Sequence, residues 1–278
     1  MAANSPVAQS VAVSQPLNAT PEHRRLTGFF NLLRNENTLW WRTRRWLINT
    51  ITWVAILDGI LVIMLSASSG EALPPSFNLS AEGTIVFLTL TLIALAIGAV
   101  IIGQGAIIDE KQSGTAAWIL SKPASRAAFI LAKLVAHSLG LLVTGILIPG
   151  AIAFVVLTIV GGSFAIGNYA AALGIALLNV VFYLAFTMML GTLSNGRAAA
   201  IGLPLAFLLG YQLFLGLVPW LADITPWGFM TSATSRTPST ALVALGRAGL
   251  PLMPIVATVV WCVLFMAIAL WRFGREEF

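Results

Sequence analysis

Charged residues are scarce in this sequence. Asp, Glu, Lys and Arg make up 9% of its 278 residues, whereas hydrophobic residues make up 58%. Soluble domains contain about 25% charged residues, so this composition excludes an ordinary water-soluble fold. The remaining charges fall in short polar stretches between long apolar runs. This arrangement predicts an all-α integral membrane protein, because a helix satisfies its own backbone hydrogen bonds in lipid.

The residues of several common catalytic and metal sites are also missing. Cys262 is the single cysteine and His23 and His137 are the only histidines, which excludes an internal disulfide and argues against a Cys- or His-based metal site. No Gly-x-x-x-x-Gly-Lys-Ser/Thr or His-Glu-x-x-His sequence occurs. We therefore predict a chain with no catalytic residue, no metal and no cofactor of its own, which is not an enzyme by itself.

Six apolar stretches are long enough to cross the roughly 30 Å of hydrocarbon in a bilayer. They predict transmembrane helices at 46–66, 83–108, 129–160, 169–193, 198–221 and 252–271. Residues 223–251 are too interrupted by proline for one helix and too apolar for a free loop, which favours a re-entrant helical segment before the last span. The predicted organisation is a disordered tail at 1–21, an amphipathic interfacial helix at 22–45, a six-span domain at 46–271 and a tail at 272–278.

The segment 22–45 mixes aromatic and leucine residues with six arginines. This composition is typical of a helix that lies in the membrane interface, with its apolar groups at headgroup depth and its arginines near water and anionic lipid. Membrane lipids are therefore predicted partners. Contact of this helix with a partner protein is an equally open alternative.

The distribution of basic residues predicts the orientation. Placing the N-terminus in the cytoplasm puts 13 of the 15 Lys and Arg residues inside and leaves only Arg236 and Arg247 outside, as the positive-inside rule requires. Both termini are then cytoplasmic, and the expected location is the inner (plasma) membrane. The net charge of +5 follows the loops rather than one soluble face, so nucleic-acid binding is not expected.

The longest polar interruption, 109–133, lies between the second and third predicted spans. Ser113 is a candidate N-cap for a short helix, Pro123 disfavours a helical conformation at Lys122, and Ser125 can cap the next helix. A polar loop on the inner side of any multi-span protein has some of these features. The spacing also resembles the coupling segment of ABC-2 type permeases, in the residues Glu110, Gly114, Thr115, Leu120, Pro123, Ser125, Arg126 and Lys133. Ala116, Ala117 and Trp118 depart from the larger aliphatic residues that are commoner in that family.

The resemblance implies the membrane subunit of an ATP-binding cassette exporter. Its partners would be two copies of an ABC ATP-binding subunit, which bind ATP and Mg, and a second permease subunit, giving a homodimer. The residues expected to contact the ATP-binding subunit are Glu110, Lys111, Gly114, Thr115, Leu120, Pro123 and Arg126. Within this set, Glu110 would pair with a base of the partner, Gly114 would allow close backbone approach, and Arg126 would anchor the segment to its own inner surface.

Three polar residues fall inside the predicted spans. Asp58 lies deep in the first span, where a carboxylate costs a few kcal/mol unless it is paired, hydrated or protonated. Asn179 and Tyr183 are one helical turn apart and so share a face of the fourth span. These three residues are the candidate intramembrane polar site, although a hydroxyl, amide or water near Asp58 would give it a purely structural role. An ion-driven secondary transporter using Asp58 and a membrane assembly or anchoring protein remain alternatives to the exporter.

Overall fold

The computed structural model describes residues 26–68, 78–113, 125–194, 196–231 and 237–275. Within these ranges the regular secondary structure is helical. In chain order the helices are α1 Phe29–Arg42, α2 Arg45–Ser68, α3 Leu79–Gln112, α4 Arg126–Ile159, α5 Ile166–Leu193, α6 Arg197–Leu209, α7 Tyr211–Leu217, α8 Leu221–Ile224, α9 Trp227–Met230, α10 Ser239–Ala244 and α11 Leu252–Gly274.

Five of the helices in the described ranges, α2, α3, α4, α5 and α11, are long and apolar enough to cross a membrane. Helices α6 and α7 meet this criterion only as a pair and are bent by 53°. The predicted all-α membrane fold is confirmed, with a sixth span if the bent pair crosses as one. The predicted span over 198–221 coincides with this bent pair, and the bend lies at Gly210. A Cβ at Gly210 would lie 2.8 Å from the Ala206 carbonyl oxygen and 2.9 Å from the Phe214 ring.

Helices α2 and α4 each contain a wider, π-helical stretch. The stretch in α2 is Val54–Asp58, and the one in α4 is Leu142–Leu147. In α4 it ends two residues before Pro149, whose ring nitrogen cannot donate to the carbonyl of Gly145. The π-helical register absorbs that missing bond, so the helix continues through the proline without a break.

Helix α3 is longer than the sequence predicted. It has 34 residues, about 51 Å at 1.5 Å per residue, and so exceeds the hydrocarbon thickness. The side chain of Asn78 caps its start by accepting a hydrogen bond from the Ala81 amide at 3.0 Å. Ser113 closes α3 at its C-terminal end, and the short helix that it was predicted to begin lies outside the described residues. Ser125 caps α4 as predicted and accepts from the Ala128 amide at 3.0 Å.

Helix α5 is the centre of the bundle and packs mainly against α3 and α11. Glycines permit the close contacts of α3 with its neighbours: a Cβ on Gly98 would lie 2.4 Å from the Trp53 ring, and one on Gly103 would lie 3.0 Å from Leu184. Helix α1 lies within the predicted interfacial segment and packs along α4. The short helices α8, α9 and α10 occupy the interrupted region before α11. The predicted tail at 1–21 lies outside the described residues.

Candidate functional site

The polar residues of one end of the bundle form a connected group, and we call this end the basic end. It brings together the start of α1, the end of α3, the start of α4, the junction of α5 with α6, and the end of α11. The Ser125 amide donates to the Thr27 carbonyl at 3.0 Å, which fixes the beginning of α4 beside the beginning of α1. Ser113 and Ser125, the described residues that flank the middle of the predicted coupling segment, both lie at this same end.

The centre of the group is a buried triad of one lysine and two carboxylates. Lys133 Nζ lies 2.8 Å from Glu36 Oε1 and 2.5 Å from Glu110 Oε1. The lysine side chain is 4% exposed, and those of Glu36 and Glu110 are 14% and 22% exposed. Because the three residues come from α4, α1 and α3, the triad joins three helices. We call it the Lys133 triad.

Aromatic rings complete the surroundings of Lys133. Its ammonium group lies 5.1 Å from the centroid of the Phe129 ring, within the range of a cation–π contact. Phe129 stacks on Phe273 of α11 with ring centroids 5.6 Å apart. On the other side, Trp40 of α1 contacts His137 edge-to-face at 6.0 Å. The lysine is therefore shielded from water, which strengthens its interaction with the two carboxylates.

A close approach between α1 and α4 holds the triad in place. Trp40 is buried, and its ring lies directly over Gly140, where a Cβ would come within 2.7 Å of the indole. Nδ1 of His137 lies 2.7 Å from the Lys133 carbonyl oxygen. Helix α1 therefore docks on α4 at two points. At one, the Trp40 ring packs over Gly140, and at the other, Glu36 pairs with Lys133.

Two more contacts tie the ends of the predicted coupling segment to the bundle. Arg197 Nη2 lies 2.7 Å from Asp109 Oδ1 and connects α6 to α3, although both side chains are 53% exposed. Lys111 Nζ lies 3.4 Å from the Thr192 carbonyl oxygen of α5. An exposed ion pair such as Arg197–Asp109 contributes about 0–1 kcal/mol, so it orients the end of α3 more than it stabilises it.

Arg126 connects the start of α4 to the end of α11. Its Nη1 donates to the Gly274 carbonyl at 2.9 Å and to the Phe273 carbonyl at 3.3 Å. These are carbonyls that a helix terminus leaves without an intrahelical donor, and a cation there is favoured by the helix dipole. The arginine thus lies where an anchor to the chain's own surface was predicted. Gly114, Thr115, Leu120 and Pro123 lie outside the described residues.

Glu110 has an intramolecular partner. The sequence predicted that Glu110 pairs with a basic residue of a partner subunit. In the folded chain, its Oε1 accepts a hydrogen bond from Lys133. Its other oxygen, Oε2, is buried without a hydrogen bond to any described residue. The prediction of a second, intermolecular partner stays a prediction, but it concerns a carboxylate already engaged within the chain.

Sequence reasoning missed Glu36, Asp109 and Arg197 as members of this group. Glu36 did carry a signal, because it is the only acid among the arginines of α1. A single acid on an otherwise basic amphipathic helix indicates a base on the surface where that helix docks. The sequence singled out Lys133 only through the family resemblance. Its partners could not be predicted, because their identity depends on how α1, α3 and α4 meet.

The three intramembrane polar residues have different surroundings. Asn179 is fully buried and donates from Nδ2 to the Leu92 carbonyl of α3 at 2.9 Å. Tyr183 belongs to the same large hydrophobic cluster, and its hydroxyl is buried without a well-formed hydrogen bond to a described residue. Asp58 follows Leu57 of the separate cluster that contains Tyr169, and it interacts electrostatically with that tyrosine.

Asp58 is unusual among the buried polar groups. It is 4% exposed, ends the π-helical stretch of α2, and neither carboxyl oxygen has a hydrogen bond to a described residue. The hydroxyl of Tyr169 is engaged elsewhere, donating to the Gly150 carbonyl at 2.9 Å. The hydroxyl or amide partner expected for Asp58 is thus not found within the described ranges.

The end opposite the basic end contains a cavity of about 740 Å³. It lies between the short helices and the start of α11, and its lining includes Trp220, Asp223, Thr231, Leu242 and Met253. Backbone contacts hold the short helices in position: Trp261 Nε1 donates to the Ile224 carbonyl at 2.9 Å, and Thr240 Oγ1 donates to the Phe229 carbonyl at 3.0 Å. These contacts fix the short helices α8 and α9 against α11 and α10.

The comparisons with known proteins identify the family. A family model described as ABC-2 family transporter protein matches residues 7–278. This chain belongs to the ABC-2 family of transporter proteins. No curated protein matches it significantly. Its role as a membrane permease follows from the family, as does association with an ABC ATP-binding subunit. The helices that meet the length and hydropathy criteria agree with a multi-span ABC-2 protein.

Proposed function

We propose that this chain is the permease subunit of an ATP-driven exporter, working as a homodimer with two ATP-binding subunits that carry ATP and Mg. Both termini and the basic end face the cytoplasm in this proposal, and the membrane is the inner (plasma) membrane. ATP-driven closure of the partner pair pushes on the segment between α3 and α4. The exporter direction and this coupling come from the family resemblance of residues 109–133.

The observation that carries the proposal is the position of the Lys133 triad. Glu110 lies four residues before residues 114–124, and Lys133 lies nine residues after them. Their pairing at 2.5 Å closes the base of the segment, so a push on it would move α3 and α4 together. Glu36, 2.8 Å from the same lysine, adds α1 to the moving unit, and Arg126 adds the end of α11.

This arrangement suits the transmission of force because a buried pair resists separation. Removing one member of a buried ion pair costs about 3–5 kcal/mol, whereas an exposed pair contributes about 0–1 kcal/mol. A rigid connection at the basic end would convert movement of the coupling segment into movement of whole helices. The cavity beside α11 at the opposite end lies where an exit for substrate would be required.

The test is co-purification followed by ATPase measurement. The tagged chain is expressed with the genes beside it, extracted in mild detergent, and assayed for a stoichiometric ATP-binding protein. We expect Gly114→Leu to reduce recovery of that subunit, and Glu110→Gln to reduce the stimulation of its ATPase by the permease. Asp223→Asn, which changes an exposed acid at the opposite end, is the control and should retain both. Wild-type chain that folds, yet recovers no ATP-binding subunit, would contradict the proposal.

A second candidate is favoured by the environment of Asp58. A buried carboxyl without a hydrogen-bonding partner among the described residues is the kind of group that ion-driven transporters use. This alternative predicts transport in vesicles that contain only this chain, driven by a pH or sodium gradient and lost in Asp58→Asn. Such transport in the absence of any ATP-binding subunit would replace the exporter proposal.

A further inference from the structure

The outward face of α1 is chemically different from the face that packs on α4. The inner face contributes the buried Trp40 and the paired Glu36. The outward face carries Phe30, Arg34 and Trp41, which recur at the three- and four-residue spacing that places side chains in one row on a helix. Phe30 is 81% exposed and Trp41 is 39% exposed. The helix is therefore amphipathic on its free side as well, with cations beside aromatic rings.

A shallow, open groove of about 460 Å³ runs along this outward face, and every described residue that lines it belongs to α1. Its lining includes Phe30, Arg34, Asn37, Trp41 and Arg42. Arg34 and Arg42 form no salt bridge and make no side-chain hydrogen bond within the described part of the chain, and the Asn37 amide is also without a side-chain hydrogen bond there. Among the described residues no acid lines the groove, because Glu36 is turned toward Lys133. Within this part of the chain, the groove presents positive charge and hydrogen-bond donors with no neutralising partner.

The groove leads directly to the first span. Thr43 is extended and separates α1 from α2, and Trp41 and Trp46 lie with ring centroids 6.4 Å apart across this junction. Leu47, Ile48 and Ile51 of α2 are exposed beyond it, as expected of side chains that face lipid. Arg44 and Arg45 at the junction are exposed as well. The same surface therefore changes from cationic to apolar over about one helical turn.

We propose that this groove is a binding site for an anionic phospholipid, with its phosphate at Arg34 and Arg42 and its acyl chains beside Phe30, Trp41 and the exposed face of α2. Guanidinium groups bind phosphate through two parallel hydrogen bonds. Each basic residue near an anionic membrane surface contributes about 1 kcal/mol. An anionic lipid provides a counter-charge for the arginines and acyl chains for the apolar part of the surface. A neutral lipid leaves the arginines without a counter-charge.

This inference does not depend on the exporter proposal, because lipid binding needs no ATP-binding subunit. The experiment is native mass spectrometry of the full chain in detergent with equimolar phosphatidylglycerol and phosphatidylcholine. We expect the first phosphatidylglycerol adduct to bind more tightly than phosphatidylcholine. Arg34→Gln and Arg42→Gln should each weaken that adduct about fivefold, the factor that corresponds to about 1 kcal/mol. Arg42→Lys keeps the positive charge but loses the guanidinium group that can form two parallel hydrogen bonds. It should therefore weaken the phosphatidylglycerol adduct less than Arg42→Gln does.

Two controls separate the site from charge in general and from loss of folding. Arg247→Gln removes the same charge from the opposite end and should leave the preference unchanged. The unfolding temperature of the Arg34→Gln/Arg42→Gln double variant should match that of the wild type, because these side chains make no polar contact with other described residues. An unchanged preference for phosphatidylglycerol in the folded double variant would overturn the proposal. Loss of the ATP-binding subunit from that variant, with lipid preference retained, would assign the groove to the protein partner instead.

Discussion

At the scale of single residues, the surroundings of a charge matter more than its presence in the sequence. Lys133 and Arg197 both pair with carboxylates of α3, at 2.5 Å and 2.7 Å. The lysine side chain is 4% exposed, whereas the arginine side chain is 53% exposed. Water screens the second pair and is excluded from the first, so similar distances correspond to different energies.

This difference gives a direct prediction for stability. Lys133→Met leaves Glu36 and Glu110 buried together without their cation, and should lower the free energy of unfolding by about 3–5 kcal/mol. Arg197→Met breaks the exposed pair and should cost no more than about 1 kcal/mol. Thermal unfolding of the two variants in the same detergent measures both changes. Equal destabilisation would show that the Lys133 triad is solvated and does not join the helices rigidly.

A combined variant isolates the ionic part of the effect. Lys133→Met with Glu36→Gln and Glu110→Gln removes the lysine and neutralises both acids. We expect it to recover part of the stability lost in Lys133→Met alone, because the repulsion and desolvation of two uncompensated carboxylates are then absent. No recovery would indicate that Lys133 contributes through packing of its aliphatic stem rather than through its charge.

At the scale of helices, the fold depends on small residues where two elements cross. Gly140 of α4 lies under the ring of Trp40, and Gly98 of α3 lies under that of Trp53. At each crossing, a large aromatic ring occupies the space that a side chain on the glycine would need. The first of them docks α1 on α4 and thereby places Glu36 within reach of Lys133.

Substitution of Gly140 should therefore release α1. A Cβ at this position would come within 2.7 Å of the Trp40 ring, and overpacking of this kind costs about 1–3 kcal/mol. We expect Gly140→Val to lower the unfolding temperature and to increase proteolytic cleavage near Thr43, between α1 and α2. Gly174→Val is the matched control, because no atom lies within 4 Å of the Cβ position of Gly174. Equal cleavage in both variants would contradict this docking.

At the scale of the whole molecule, the described positive residues other than Arg247 and the connected polar groups lie at one end. The proposed topology, based on 13 of 15 basic residues, would place this end in the cytoplasm. The Lys133 triad, the Arg126 contact with α11 and both ends of the coupling segment would then face the same compartment as an ATP-binding subunit. The cavity that contains Asp223 would open on the other side.

The single cysteine makes this topology measurable. In a Cys262→Ala background, Asp223→Cys should react with a membrane-impermeant maleimide in intact cells, since Asp223 is exposed at the opposite end. Ser113→Cys, which replaces an exposed residue at the end of α3, should react only after the membrane is permeabilised. The reverse pattern would invert the orientation and remove the cytoplasmic coupling segment from the proposed mechanism.

Much of the architecture could be predicted from the sequence, because the bilayer imposes simple requirements on it. Apolar length fixed the positions of α2, α3, α4, α5 and α11 to within a few residues. The prolines between α7 and α11 predicted short helices, and Ser125 predicted the start of α4. These are local effects: each follows from the hydropathy, the backbone donor or the capping group of the residues concerned.

The sequence by itself therefore determined a multi-span helical membrane protein with a basic, ABC-2-like segment between two spans. Only the tertiary structure decided that Lys133 binds both Glu36 and Glu110, that Asn179 donates to the Leu92 carbonyl, and that Arg126 reaches the end of α11. The bend at Gly210 also appeared only there. The physical reason is that each of these depends on contacts between residues distant in the chain, or on the rotation of one helix against another. Hydropathy and spacing along one segment carry no information about that rotation.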